Sequence, residues 1–471
     1  MHRVGFCLLL CISVQLSLAA SRHPFVNRQV KSVPINELED NGSPLILTEY
    51  IVKGRIEEGV KAAEVNHPAF LNVTHYTGFF TVNETFNSNL FTWFFPSESD
   101  PLNDPVVVWL QGGPGSSSLF GLFGENGPFE MKNEKEVNLR KERWSKTHNL
   151  IYIDNPAGTG YSFTNPGGYA HDEEQVGREL YEALQQFFLL FPKLRSNDFF
   201  ITGESYAGHY IPAISYTILK NNRLASEKYQ INLKGIAIGD GWTDPINQLN
   251  YGEYLYQHGF VDLKMKNELN AHRDKAIDYI NKEQFAAARI EFNLILSIFE
   301  DGTGYTNPYN YLDINDGGSS SLMDVFVQSS DIRKAIHVGN LIYHDGNEVN
   351  NALNSDVMKS VVHLLPELIN NYRVLIYGGQ VDIIVAYPLS VSWLEKLQFS
   401  NAEEYKTARR GTWYVNNEIA GFVKVAGNLT DLLVRNAGHM VPTDQPTWAS
   451  DLINRFTRNK SFDDSLWMKH K

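Results

Sequence analysis

Cysteine is almost missing from this chain. Its 471 residues include two, Cys7 and Cys11, and both fall within the first twenty. Beyond them no thiol remains, which excludes disulfides, zinc–thiolate sites and a cysteine nucleophile from the rest of the chain. Positive charge is also short: 41 Lys and Arg stand against 54 Asp and Glu, a formal charge of −13. That balance offers no electrostatic footprint for nucleic acid. Long apolar runs are confined to the N-terminus, and no later segment is suited to span a bilayer. Core-forming material is plentiful. Hydrophobic residues make up 43% and charged residues 20%, so global disorder is excluded. The length suits an α/β enzyme carrying an insertion.

The opening "MHRVGFCLLLCISVQLSLAA" has His2 and Arg3, then an apolar run from Val4, then Ala19 and Ala20. This pattern predicts a secretory signal peptide over residues 1–20, cleaved near Ala20. A membrane anchor fits less well, because the apolar run is short and Ser13, Gln15 and Ser17 interrupt it. Five sequons agree with the secretory route, at Asn41, Asn72, Asn83, Asn428 and Asn459.

Residues 21 to about 75 mix Pro, Asn and charge and read as a surface wrapping. "GFFTV" from Gly78 and "NLFTWFF" from Asn89 then predict a hairpin. "DPVVVWLQ" (Asp104–Gln111), "NLIYIDNP" from Asn149, "DFFITGES" from Asp198 and "LKGIAIGDG" from Leu233 are short apolar runs of the kind buried parallel strands need. In "EEQVGRELYEALQQFFLLF", Val176, Leu180, Leu184, Phe187, Phe188 and Phe191 recur at helical spacing behind an acidic start. "IPAISYTILKNN" after Ala207 continues as a helix. Strands alternating with helices predict a mostly parallel sheet covered on both faces. Over 242–339 the rhythm changes to consecutive helices, "KMKNELNAHRDKAIDYIN" and "FAAARIEFNLILSIF", with "NDGGSSS" from Asn315 as a loop. That block reads as a helical insertion. "YRVLIYGGQVDIIV" and "LTDLLVRNAGHMVP" restore the strands, and "TWASDLINRF" closes with a helix.

"GESYAGHYIPA" (Gly203–Ala213) places Ser205 between the strand "FFIT" and a helix, the setting of a nucleophile elbow, G-x-S-x-G. Ala207 stands at the second glycine. An elbow serine needs a base, and the base needs an orienting carboxylate, in the chain order Ser, acid, His. Asp382 follows "VLIYGGQ", and His439, one of 14 histidines, follows "LLVRNAG". Asp154 and Asp240, each after a strand, compete for the acid but suit that order less well. "WLQGGPGSSS" adds a glycine pair at a strand end, with no Lys after it to make a phosphate loop. Gly113 N–H and Tyr206 N–H are the candidate oxyanion donors.

"WLQGGPGSSSLFGLFGENGP", "DNPAGTGYSF", "GESYAGHYIPA", "GDGWTDP", "YGGQVDIIV" and "AGHMVPTDQP" resemble, in order, the motif set of the serine carboxypeptidases. The resemblance runs from about Thr74 to Phe456, and "WLQGGPG", "LKGIAIGDGWTDP" and "AIHVGN" are most similar to the vitellogenic-like branch. It implies an α/β-hydrolase fold with a helical insertion and a peptidase that removes one residue from a free C-terminus. Ser205, Asp382 and His439 match the family's triad, and Gly113 and Tyr206 its oxyanion donors. Trp109, Gln111, Glu125 and Glu204 fall where the family binds the terminal carboxylate, and Met440 falls in its leaving-residue pocket. The chain departs from the family pattern in two places. Gln111 stands where Asn is usual, and the family's disulfides are missing, including a Cys at position 116, here Ser116.

These readings predict a serine carboxypeptidase acting through an acyl-enzyme, fastest at acid pH, with no metal or organic cofactor. Its partners are peptide or protein C-termini, with neither nucleic acid nor membrane anchor; a homodimer stays open. Its expected destination is the secretory pathway, either secreted or lysosomal and vesicular. Two other functions compete: a serine-dependent acyltransferase or esterase on the same fold, and a secreted binding protein with a decayed site.

Overall fold

A computed structural model of the chain describes residues 40–313 and 319–464. The signal-peptide reading of residues 1–20 falls outside the described residues.

The aromatic, β-branched run Tyr76–Asn83 (β1) turns back into Ser88–Phe95 (β2) as an antiparallel hairpin. The apolar runs supply Val106–Leu110 (β3), Asn149–Ile153 (β4), Phe199–Glu204 (β5), Leu233–Gly239 (β6) and Arg373–Gly379 (β7). Gly411–Val415 (β8), Glu418–Ala426 (β9) and Leu429–Val434 (β10) complete a ten-stranded sheet. Its order is β1-β2-β4-β3-β5-β6-β7-β10-β9-β8. The six central strands, β4 to β10 in that order, are parallel to one another. Antiparallel strands flank them on both sides. This is the α/β-hydrolase fold.

Both faces of the central strands are buried, which explains why their sequences are continuously apolar. In β3, Val106, Val108 and Leu110 join one core with Val176, Leu180 and Phe187 of the helix Glu173–Leu190. Val107 and Trp109 join a second core on the other face, with Trp93, Leu150 and Phe200. The helix Glu173–Leu190 starts at Asp172, whose side chain accepts from the Gln175 N–H.

Between β6 and β7 lie the helices Tyr251–Gln257, Leu263–Asn281, Phe285–Thr303, Ser319–Gln328 and Ser330–Ala335. Within the loop expected at "NDGGSSS", Ser319 begins a helix, and residues 314–318 lie outside the described residues. Of the stretch read as a surface wrapping, residues 21–39 lie outside the described residues, and residues 40–73 have more order than that reading expects. Helices Thr48–Val52 and Ile56–Ala63 pack there, and Leu47, Ala63, Val65 and Phe70 are buried. Among the described residues no helix is long and apolar enough to cross a membrane.

Candidate active site

The C-terminal ends of the parallel strands converge, as is usual for ligand sites in such sheets. Ser205 follows β5 directly with φ +63, the strained left-handed region for a non-glycine residue. Neighbouring segments hold that strain. Ser205 N–H donates to the Gly239 carbonyl at 3.0 Å, and its own carbonyl accepts from Gly208 and Trp242 N–H, both at 2.9 Å. A Cβ on Gly203 would strike the Leu110 carbonyl, and one on Gly208 would lie 2.7 Å from the Trp242 carbonyl oxygen. The tightest approaches of the turn therefore fall on Gly203 and Gly208, and Ala207 keeps its methyl group.

His439 follows β10 and Asp382 follows β7. Nδ1 of His439 lies 2.9 Å from Asp382 Oδ2, and both residues are buried. With Asp382 accepting from Nδ1–H, the second ring nitrogen Nε2 is left without a hydrogen bond. Asp382 also accepts from Val385 N–H at 3.3 Å. Its loop is pinned from the helix Tyr251–Gln257: Tyr254 donates to the Asp382 carbonyl at 2.9 Å and Tyr251 to the Ile384 carbonyl at 2.5 Å. The helices between β6 and β7 thus hold the Asp382 loop as well as covering the sheet.

One cavity is lined by Ser205 and His439 together with Gln111, Gly112, Gly113, Glu204 and Met440. Ser116, Phe120 and Tyr309 complete its wall. Asp382 reaches it through His439. Trp109, Glu125 and Tyr206 do not line it. The Tyr206 ring points into the interior, where its hydroxyl donates to Asp356 Oδ2 at 3.0 Å, while its backbone directly follows Ser205. A Cβ on Gly112 would lie 2.7 Å from Ser205 Cβ and would collide with Tyr206 N, so the glycine loop and the elbow meet backbone to backbone.

Trp109 acts from behind the wall. Its Nε1 donates to Gln111 Oε1 at 2.9 Å, and Gln111 Nε2 donates to Glu204 Oε1 at 2.7 Å. This chain fixes which end of the Gln111 amide faces the carboxylate. Glu125 is buried on a π-helical turn, Gly121–Glu125. The Tyr377 hydroxyl is pushed up by burial, then by the charges of Glu204, Asp240 and Glu125.

Of the two competing acids, Asp154 has a separate task. It accepts from Ser117 Oγ at 2.6 Å, Ser118 N–H at 3.0 Å and Tyr161 N–H at 2.9 Å, and so anchors the loop after the glycine pair. Burial pushes it up to about 6 against those hydrogen bonds. Asp240 lies beside Asp382: Asp240, Asp382 and His439 bring side-chain nitrogen or oxygen atoms within 4.8 Å of one another. Within this trio, His439 Nδ1 pairs with Asp382 Oδ2 at 2.9 Å.

Sequence reasoning missed Tyr309. Its carbonyl accepts His439 N–H at 2.7 Å, and its ring centroid lies 5.4 Å from the imidazole. No motif surrounds it, and only the fold brings it to the base. Among the sequon asparagines, Asn72, Asn428 and Asn459 are exposed, and Asn41 and Asn83 are half-buried.

The fold and this constellation define a serine hydrolase of the α/β class, and the comparisons narrow it. A family model described as serine carboxypeptidase matches residues 64–459. The venom serine carboxypeptidase of Apis mellifera is 48% identical, covering 92% of this chain and 94% of that one. The vitellogenic carboxypeptidase of Aedes aegypti is 46% identical, with 89% and 90% covered. The prohormone-processing carboxypeptidase Kex1Δp of Saccharomyces cerevisiae superposes with a TM-score of 0.75 at 23% identity, over 85% of this chain and 96% of that structure. The chain belongs to the serine carboxypeptidase family.

Proposed function

We propose that this enzyme releases single amino acids from peptide C-termini through an acyl-enzyme on Ser205, in the secretory pathway and fastest at acid pH. The observation that carries this reading is the shared cavity: Ser205 and His439 stand on the same wall as Gln111 and Glu204. His439 Nε2 takes the Ser205 proton, and Ser205 Oγ attacks the last peptide carbonyl. The oxyanion rests on the amides of Gly113 and Tyr206. His439 then protonates the leaving amino acid, and water, activated by the same base, hydrolyses the ester.

The terminal carboxylate of the substrate meets Glu204, oriented by Gln111 and, through it, by Trp109. Two carboxylates at one site must share a proton, which favours acid pH. Glu125 belongs to the same buried group, and Met440 borders the space for the departing residue. The secretory destination, extracellular or vesicular, rests on the signal pattern of residues 1–20 and the five sequons.

The test is mass spectrometry of a mixed peptide pool after incubation with the purified protein. Ladders shortened one residue at a time from the C-terminus support the reading. Internal cleavage, or hydrolysis confined to esters, overturns it in favour of an endopeptidase or an esterase.

A further inference from the structure

Asp240 is a buried carboxyl placed against the acid of the triad, with no role in the mechanism above. It sits at the end of β6 with φ +41, and β7 grips it from the side. Its N–H donates to the Tyr377 carbonyl at 2.8 Å, and its Oδ1 accepts Gly379 N–H at 2.8 Å. Both contacts belong to the strand that leads into Asp382, which ties Asp240 to the segment carrying the second carboxyl. The groups facing Asp240 are Asp382 and Glu204, both acidic, with the Tyr377 hydroxyl beside them and His439 within the same 4.8 Å cluster.

Two carboxyls this close, both shielded from water, cannot both be ionised. The hydrogen bonds decide which one keeps the proton. Asp382 accepts from His439 Nδ1–H and from Val385 N–H, and every donor to a carboxylate favours its charged form. Asp240 accepts only from Gly379 N–H among these groups, and its Oδ2 makes no other hydrogen bond. We propose that Asp240 is a neutral carboxylic acid whose Oδ2–H donates to Asp382, making it a positioning residue for the triad. Burial, followed by the charge of Asp382, pushes the Asp240 carboxyl well up, in the same direction.

The inference rests on the reading of Ser205, His439 and Asp382 as a triad. A donor from Asp240 occupies the part of Asp382 that His439 does not use and holds the carboxylate in one orientation. At alkaline pH the shared proton leaves, two charges face each other, and Asp382 loses its alignment with His439. The alkaline fall of kcat, which persists for substrates without a terminal carboxylate, then belongs to the aspartate pair.

The experiment uses the full-length enzyme and an N-blocked amino-acid ester, which lacks a terminal carboxylate and so removes Glu204 from the pH profile. Ser205→Ala and His439→Ala are the controls for the triad: if either retains activity, the triad reading itself fails, whatever Asp240 does. With those controls inactive, Asp240→Leu is expected to lower kcat at least about tenfold with KM nearly unchanged. Asp240→Asn, whose amide can donate but cannot lose a proton in this range, is expected to recover most of that loss. It is also expected to move the alkaline limb of kcat/KM up by a pH unit or more. If Asp240→Leu fails to fold, the Asn profile alone decides. An unmoved alkaline limb, an Asn variant as slow as the Leu variant, or a Leu variant as fast as the unaltered enzyme overturns the proposal.

Discussion

Gly112 and Tyr206 are in backbone contact, with no space between them for a single methyl group. The glycine loop after β3 and the elbow after β5 are thereby locked together. One proposed oxyanion amide, Tyr206 N–H, is at the contact, while the other, Gly113 N–H, is the next in chain after Gly112. Gly112→Ala must separate them. It is expected to lower kcat by about 10²-fold, the scale of losing one oxyanion donor. Overpacking adds a stability cost of about 1–3 kcal/mol. Steady-state kinetics and thermal melts check both, and normal kcat in the variant contradicts the oxyanion assignment.

Ser205 is expected to be the one residue labelled by an organophosphate fluoride, because the proposed mechanism gives it both a base and oxyanion donors. Ser205→Ala should abolish labelling and lower turnover by roughly 10³-fold or more. Peptide mapping of the adduct locates it. A label elsewhere removes the central claim.

The parts of the site that were legible in the sequence are the local ones. An apolar run, a turn of small residues and a helix start lie within a dozen positions of Ser205, so the elbow can be read without its partners. The pairing of Asp240 with Asp382 and the seating of Tyr309 on His439 depend on which strands become neighbours, and no local pattern encodes that. The hairpin of β8 and β9 carries a local signal in its turn. Asn416 and Asn417 link the two strands with φ +51 and +66, the paired left-handed turn that asparagine tolerates. β9 alternates burial only irregularly along its length, which blurs the period-two pattern of a strand.

Both cysteines precede the proposed cleavage near Ala20, so the secreted protein should contain neither thiol nor disulfide. Intact mass after deglycosylation should correspond to a start close to Ser21, and dithiothreitol should leave Tm unchanged. Recovery of a peptide containing Cys7 or Cys11 from secreted protein would contradict the signal-peptide reading.

Stability should fall with pH through two buried imidazoles. His75 stands among Phe70, Trp93, Phe95 and Phe129, with ring centroids 4.9–5.9 Å away, and burial, then the charge of His337, pushes it down to about 3 from 6.5. His148 is likewise pushed down to about 3, by burial and then by the charge of Arg458. Between pH 6.5 and 3 the unfolded chain binds protons that the folded chain refuses. Their contribution is therefore complete above 6.5 and is lost as pH falls, by up to about 1.4 kcal/mol per pH unit for each group. Asp154 opposes this trend. Its folded value of about 6 lies above the ordinary 3.8, so its contribution is complete below 3.8 and lost as pH rises through 6. His75→Leu is expected to narrow the stability gap between pH 7.5 and pH 4.5, by up to about 2–3 kcal/mol. Urea melts at the two pH values measure it, and an unchanged gap shows that His75 does not titrate on unfolding.

The pH dependence of catalysis separates Glu204 from the triad. Glu204 adjoins Ser205 in sequence and lines the same cavity, and Gln111 donates to its Oε1 at 2.7 Å. A substrate carboxylate arriving here brings a second negative charge, and like charges in a buried site cannot both remain ionised. One proton must be held between them. Raising the pH removes it and weakens binding, so KM for peptides should rise before kcat falls. His439 sets the opposite limit, because it must be neutral to act as a base. Substrates with an amidated C-terminus lack the second charge and should be turned over best at higher pH. Glu204→Gln replaces the shared proton with an amide donor that cannot be lost. It should move the peptide optimum upward while leaving the amide profile nearly as it was. The measurement is kcat and KM against pH for the free-acid and amidated forms of one peptide, in both enzymes. Coincident profiles for the two forms in the unaltered enzyme would remove Glu204 from carboxylate recognition and leave Ser205, Asp382 and His439 untouched.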